Sequence, residues 1–164
     1  MYRNILVAVD GSPTSDAGLD EAIGLAKALG ARLRLLHLVD QMPLAFAADG
    51  FGGMTVDMIG LLRESGQQLL AQAELRVKAA AVEVDSVLVE SLNGRLFEHV
   101  NAQARDWPAD LIVIGTHGRR GVGRMLMGSD AEQVVRHAPV PVLLYRSTEK
   151  ADADAATQGK APSA

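Results

Sequence analysis

The residues best suited to chemistry lie in one stretch, "GTHGRRGVGRMLMGSDAE", Gly115 to Glu132. Its glycines let a ligand come close to the backbone. Its arginines and Ser129 offer donors to anionic oxygens. It is not a lysine-bearing phosphate loop, because Gly128 is followed by Ser129 and Asp130 where that loop needs Lys-Ser/Thr. It is not a dinucleotide fingerprint either. Gly121 and Gly123 begin G-x-G-x-x-G, but Leu126 occupies the third glycine position. What remains is Gly115-x2-Gly118, nine residues, then Gly128-Ser129.

That spacing has a physical reading. Gly115 closes an apolar run and would admit a sugar against the backbone. Gly118 permits a tight turn that presents N–H groups. Gly128 and Ser129 open a helix, whose unpaired N–H groups and positive dipole end favour phosphate. Arg119, Arg120 and Arg124 offer pairing to phosphate oxygens, with solvated loop positions as the plainer alternative. Two features cut the other way. Ser129 with Glu132 three residues on fits a capping box, which needs no ligand. Asp130 would repel phosphate unless it points away or helps hold a divalent cation.

A second polar connection, "DGSPTS" (Asp10–Ser15), follows the first apolar run. Asp10 has two readings there: it caps the turn before Ser12, or it accepts from a base or holds a metal. The histidines are weaker signals. His37 follows the paired leucines of the second strand, His99 and His137 lie in helices, and His117 sits in the glycine loop. No H-x-x-x-H pair marks a zinc site. No G-x-S-x-G elbow marks a serine nucleophile. With no cysteine in the chain, thiolate and disulfide chemistry are excluded.

These loops need elements to hold them. Five apolar runs read as strands: Ile5–Val9, Leu33–Val39, Val84–Val89, Leu111–Ile114 and Val140–Tyr145. The first and fourth do not alternate, as befits parallel strands covered on both faces. Between the runs lie helical patterns. The first starts after Ser12 as N-cap, with Pro13 at its first position, and stops at Gly30. The second fits Thr55–Val82 on a stripe of Met58, Leu62, Leu69, Ala73, Val77 and Ala80, with Gly66 a weak point. The third fits Arg95–Asp106 and the fourth Ser129–His137. Strict alternation of strand and helix predicts an α/β, doubly wound, five-stranded parallel sheet, Rossmann-like, of order 3-2-1-4-5. Ligands of such sheets bind beyond the strand ends where the order reverses, between strands one and four. The two polar connections follow those strands.

Bulk properties set the frame. A length of 164 residues suits one domain, expected over 1–146. The tail from 147 to 164 has no aliphatic residue larger than alanine and is expected to be disordered. A net charge of −4 argues against sequence-independent binding to nucleic acid. No stretch has the length of a membrane span or the form of a signal peptide, so a cytoplasmic location is expected. The long connection Gln41–Met54 is either a binding loop or a surface link.

The segments "ILVAVDGS", "LRLLHLVD" and "DLIVIGTHGRRGVGRMLMGSDAEQVVRHAPVPVLLY" resemble the universal stress protein family over residues 3 to 145. G-x2-G-x9-G-(S/T) is the motif of the family's ATP-binding members and is intact here. The resemblance implies that Asp10 and the backbone around Ala8 and Leu38 hold adenine. Ile114 and Gly115 would line the nucleoside, and Gly118, Gly128, Ser129 and Asp130 would surround the phosphates. Asp130 departs from the apolar or hydroxylated residue often found there. The resemblance also implies a Mg or Mn ion with the phosphates, at most slow ATP hydrolysis, and a homodimer through the last strand. Pro141 fits an edge strand, since it cannot donate to a ladder; it either leaves Val142–Tyr145 to pair with a second copy or, with Pro139, protects a monomer's edge. The alternative is a dimeric interaction module of the same fold that binds no nucleotide. A receiver domain is disfavoured, because Asp10 alone stands where an acidic cluster is required. A ligase would need catalytic elements for which the chain has little room.

Overall fold

The computed structural model describes residues 1–41, 52–92, 95–116 and 128–146. The elements run β1 (Asn4–Ala8), α1 (Pro13–Leu29), β2 (Arg32–Asp40), α2 (Gly52–Ala79), β3 (Val84–Ser91), α3 (Leu96–Asp106), β4 (Leu111–Gly115), α4 (Ser129–His137) and β5 (Val142–Tyr145). The five strands form one sheet of order β3-β2-β1-β4-β5, parallel at every pairing. This is the expected doubly wound order, with its reversal between β1 and β4.

The unalternated strands have a direct cause. Ile5 and Val7 of β1 enter one core with Leu19 and Ala22 of α1 and Leu70 and Val77 of α2. Leu6 and Ala8 enter the other, with Val100 of α3 and Val134 of α4. From Ile5 to Ala8 both faces of β1 are dry, so polar residues have no place there. β4 behaves the same way: Val113 joins the first core and Ile112 and Ile114 the second.

α1 carries its own start and stop signals. Ser12 is extended (φ −76°, ψ 154°), and its Oγ accepts the Ser15 N–H at 3.2 Å. Gly30 ends the helix in the left-handed region at φ 65°, where glycine carries no Cβ penalty. α2 departs from expectation at both ends. Gly52 and Gly53, assigned to the preceding loop, belong to its first turn, and the helix ends at Ala79 rather than Val82. Its buried face centres on Gly66, Leu70, Ala73 and Val77, whereas Met58 and Leu62 are exposed. Gly66 is no weak point. A Cβ there would meet Leu88 Cδ1 at 2.8 Å and His37 Cδ2 at 2.9 Å. The helix lies so close to β2 and β3 that only a hydrogen fits.

Polar contacts fix the periphery. Arg34 Nε and NH2 each bind Asp85 at 2.7 Å, and this pairing raises the guanidinium pKa. Arg32 and Arg34 both lie over the Trp107 ring, at 5.1 and 4.8 Å from its centroid. Arg76 of α2 reaches Asp16 and Asp20 of α1 at 3.1 and 2.5 Å. Asp110 Oδ2 accepts the main-chain N–H groups of Arg3 and Asn4 at 2.8 and 2.9 Å. Those donors hold its carboxyl below the usual range.

Candidate functional site

Where the strand order reverses, the carboxyl ends of β1 and β4 diverge with that of β2 beside them. A cavity of about 510 Å³ opens there, within the range of small-molecule sites. Ala8, Asp10, Leu38, Ile114, Gly115, Gly128, Ser129 and Asp130 all line it. Gly118, His117 and the three loop arginines lie outside the described residues, as does the stretch 42–51 of the long connection.

The β1 exit is held by a short chain of hydrogen bonds. Asp10 Oδ1 accepts the Ser12 N–H at 2.9 Å, and the Asp10 N–H donates to Ser15 Oγ at 3.1 Å. Gly11 supplies the turn at φ 75°. The turn-capping reading of Asp10 is thus observed, and the residue also lines the cavity.

The two described glycines of the motif also serve the packing. The hydrogen that stands for a side chain on Gly115 faces α1. A Cβ there would meet Thr14 Cγ2 at 3.1 Å and the Ser15 nitrogen at 3.5 Å. The residue's small size lets β4 pack on the first turn of α1. Gly128 donates its N–H to the Thr116 carbonyl at 2.9 Å, and a Cβ on Gly128 would stand 3.2 Å from that oxygen. Its own N–H is thus committed to joining the two ends of the glycine loop.

Ser129 is not a cap. Gly128, which has no side chain to cap with, is the N-cap of α4, and Ser129 takes the first helical position. The capping-box reading is therefore corrected by one residue, and Glu132 pairs instead with Arg136 at 2.8 Å. The first bond within the helix runs from the Glu132 N–H to the Gly128 carbonyl. The N–H groups of Ser129, Asp130 and Ala131 precede it and have no acceptor inside the helix. All three residues line the cavity.

Charge in the cavity is acidic among the described residues. Asp10, Asp40 and Asp130 line it, with no Lys or Arg beside them. No three metal-ligating side chains converge among the described residues.

Sequence reasoning missed two participants. His37, taken as a weak signal, is a buried residue of β2 whose Nδ1 lies 2.7 Å from the Val9 carbonyl. Gly66 sits against that ring and lines the cavity. A polar residue inside a leucine run of a buried strand was the available signal for His37.

Residues 1–146 match the pattern described as the Universal stress protein family. The chain belongs to that family. A universal stress protein of Methanocaldococcus jannaschii is 32% identical over 151 residues, covering 92% of this chain and 85% of the relative. A universal stress protein family structure from Burkholderia pseudomallei is 35% identical with a TM-score of 0.70, covering 87% of this chain and 95% of that one. The universal stress protein of Archaeoglobus fulgidus in complex with dAMP shares the fold at 24% identity and a TM-score of 0.61, covering 88% and 98%. This universal stress protein has, among its described residues, no helix long and apolar enough to cross a membrane.

Proposed function

We propose that this universal stress protein binds ATP in the cavity at the β1–β4 switch and acts as a dimeric stress-response or signalling module. The observation that carries the reading is the composition of that cavity. It joins a main-chain edge at Leu38, a turn anchored by Asp10, and three helix N–H groups at the start of α4. A main-chain edge suits a base, and helix N–H groups suit phosphate. Leu38 belongs to β2, where successive residues turn their main-chain groups to alternate sides. Leu36 turns its groups to β1, since its carbonyl accepts the Val9 N–H at 2.8 Å. Leu38, two residues on, turns the same way, past the end of β1 and into the cavity. An N–H beside a C=O complements the N1 acceptor and amino donor of adenine, and opposes the reversed edge of guanine. The dAMP complex of the Archaeoglobus fulgidus relative agrees with an adenine nucleotide.

The roles are then as follows. Ala8, Asp10 and Leu38 hold the base, and Ile114 and Gly115 border the nucleoside. Gly118, Gly128, Ser129 and Asp130 surround the phosphates, with donation from the N–H groups of Ser129 to Ala131 rather than from Gly128. The carboxylates of Asp10, Asp40 and Asp130 oppose a bare polyphosphate, so the nucleotide enters with a divalent cation, Mg or Mn, that offsets both charges. No general base is assigned, and hydrolysis is at most slow. Among the described strands β5 has only β4 beside it in the sheet, and Val142–Tyr145 are the surface for a second copy. The nucleotide domain is 1–146, followed by a tail at 147–164, and the setting is cytoplasmic.

The test is isothermal titration of the purified full chain with ATP and Mg, with mass spectrometry of any nucleotide released on denaturation. Saturable binding that weakens sharply with EDTA is expected. No released adenine nucleotide, together with no heat of binding, would refute the reading and favour an interaction module without nucleotide. Sedimentation of wild type against Leu143→Asp tests the dimer: a lighter species for the variant is expected, and equal masses would refute the β5 interface.

A further inference from the structure

The β1–β2 ladder pairs Asn4 with Arg32 through Ala8 with Leu36, and a last main-chain bond runs from the Val9 N–H to the Leu36 carbonyl. In a regular parallel ladder the next rung would join the Leu38 N–H to the Val9 carbonyl. Here that carbonyl lies 2.7 Å from His37 Nδ1. A carbonyl only accepts, so Nδ1 carries the proton and donates. The side chain of β2 thus takes the place of its own strand's next rung. The consequence falls on Leu38, whose main-chain groups face the side that β1 has left.

We propose that His37 is a positioning residue for base recognition: its Nδ1–H holds the Val9 carbonyl off the ladder and keeps the Leu38 main-chain edge available in the cavity. This rests on the adenine-nucleotide reading above. The ring is fixed for the task, being buried and pressed by α2 at Gly66. The same bond anchors the residue directly before Asp10, so one side chain sets both the base edge and the turn next to it. Without the donor, the Val9 carbonyl turns to the Leu38 N–H, the ladder extends by one rung, and the adenine-selective edge is consumed.

The test compares wild type with His37→Asn, His37→Gln and His37→Leu, all as full chains. Asparagine keeps an N–H donor near the position of Nδ1, glutamine moves it outward, and leucine removes it. Affinities for Mg-ATP and Mg-GTP are measured by titration calorimetry, beside thermal melts. His37→Leu and His37→Gln are expected to weaken ATP binding by roughly 3- to 10-fold, the size of one neutral hydrogen bond. Their ATP-over-GTP preference should shrink as well, while His37→Asn stays near wild type in both. A purely structural role would lower melting temperature without changing that preference. Wild-type ATP preference in His37→Leu would overturn the proposal while leaving the nucleotide reading intact, and so would loss in His37→Asn equal to that in His37→Leu. No ATP binding by wild type would overturn both. Long-range 1H–15N spectra of the wild type give a reading independent of any variant. A proton on Nδ1 of His37 is expected, and the Nε2–H tautomer would overturn the proposal.

Discussion

Replacing Gly66 by alanine sets two effects of opposite sign against each other. Within a helix, alanine is favoured over glycine by about 0.8–1.0 kcal/mol. Against this stands the space beneath α2. The added methyl would lie 2.8 Å from Leu88 Cδ1, 2.9 Å from His37 Cδ2 and 3.1 Å from Val39 Cγ2. The Leu88 methyl ends a flexible side chain and yields. The His37 ring is fastened to the Val9 carbonyl, and Val39 is buried with a stiff χ1. Overpacking of this kind costs about 1–3 kcal/mol, and two unyielding neighbours put it in the upper half. The net expectation for Gly66→Ala is a loss of about 1–2 kcal/mol. Gly24→Ala in α1 is the control, because a Cβ there meets nothing within 4 Å. It should stabilise by about 0.5–1 kcal/mol. Urea unfolding of both variants separates the terms, since propensity is common to them. A gap of about 1.5–3 kcal/mol at unchanged m-value is expected. If Gly66→Ala gains as much as Gly24→Ala, then α2 does not sit on β2 and β3 at the spacing described, and the account of the His37 ring fails with it.

Other expectations follow from single contacts. Ser12→Ala removes the α1 cap and should cost about 1 kcal/mol in urea unfolding. Asn101→Leu should raise stability by about 1 kcal/mol, because Asn101 Oδ1 is buried without a hydrogen-bond partner among the described residues and leucine leaves no polar atom unpaired; a lower denaturation midpoint would count against it. The depressed pKa of Asp110 makes its contribution fully present above the ordinary carboxylate range. That contribution is lost as pH falls through the lowered folded value, so midpoints followed from pH 7 to 3 should fall less steeply in Asp110→Asn than in wild type.

Elements set by local signals were legible in the sequence. The Ser12 cap, Pro13 and Gly30 bound α1 within a residue, and dry strands read as unalternated apolar runs. From these the sheet order followed. Of the residues expected around the switch, all but Gly118, which lies outside the described residues, line one cavity, because connectivity alone brings the ends of β1 and β4 together. Illegible were the features that depend on partners far along the chain. Ser129 moved from cap to first helical residue because Gly128 binds Thr116 across the glycine loop. Gly66 resembles any helix-weakening glycine until α2 is rotated onto His37 and Leu88. His37 resembles an inert core histidine until Val9 ends its ladder beside it.

The bond from the Gly128 N–H to the Thr116 carbonyl has a wider consequence. It closes the loop at its base, whatever runs between the two residues. Entropy then charges little for length, about 0.6 kcal/mol for each doubling of the span. The fold itself therefore asks little of the length between them, and any demand on the spacing from Gly118 to Gly128 comes from the ligand. One scaffold can in this way be retuned to different partners without refolding its core.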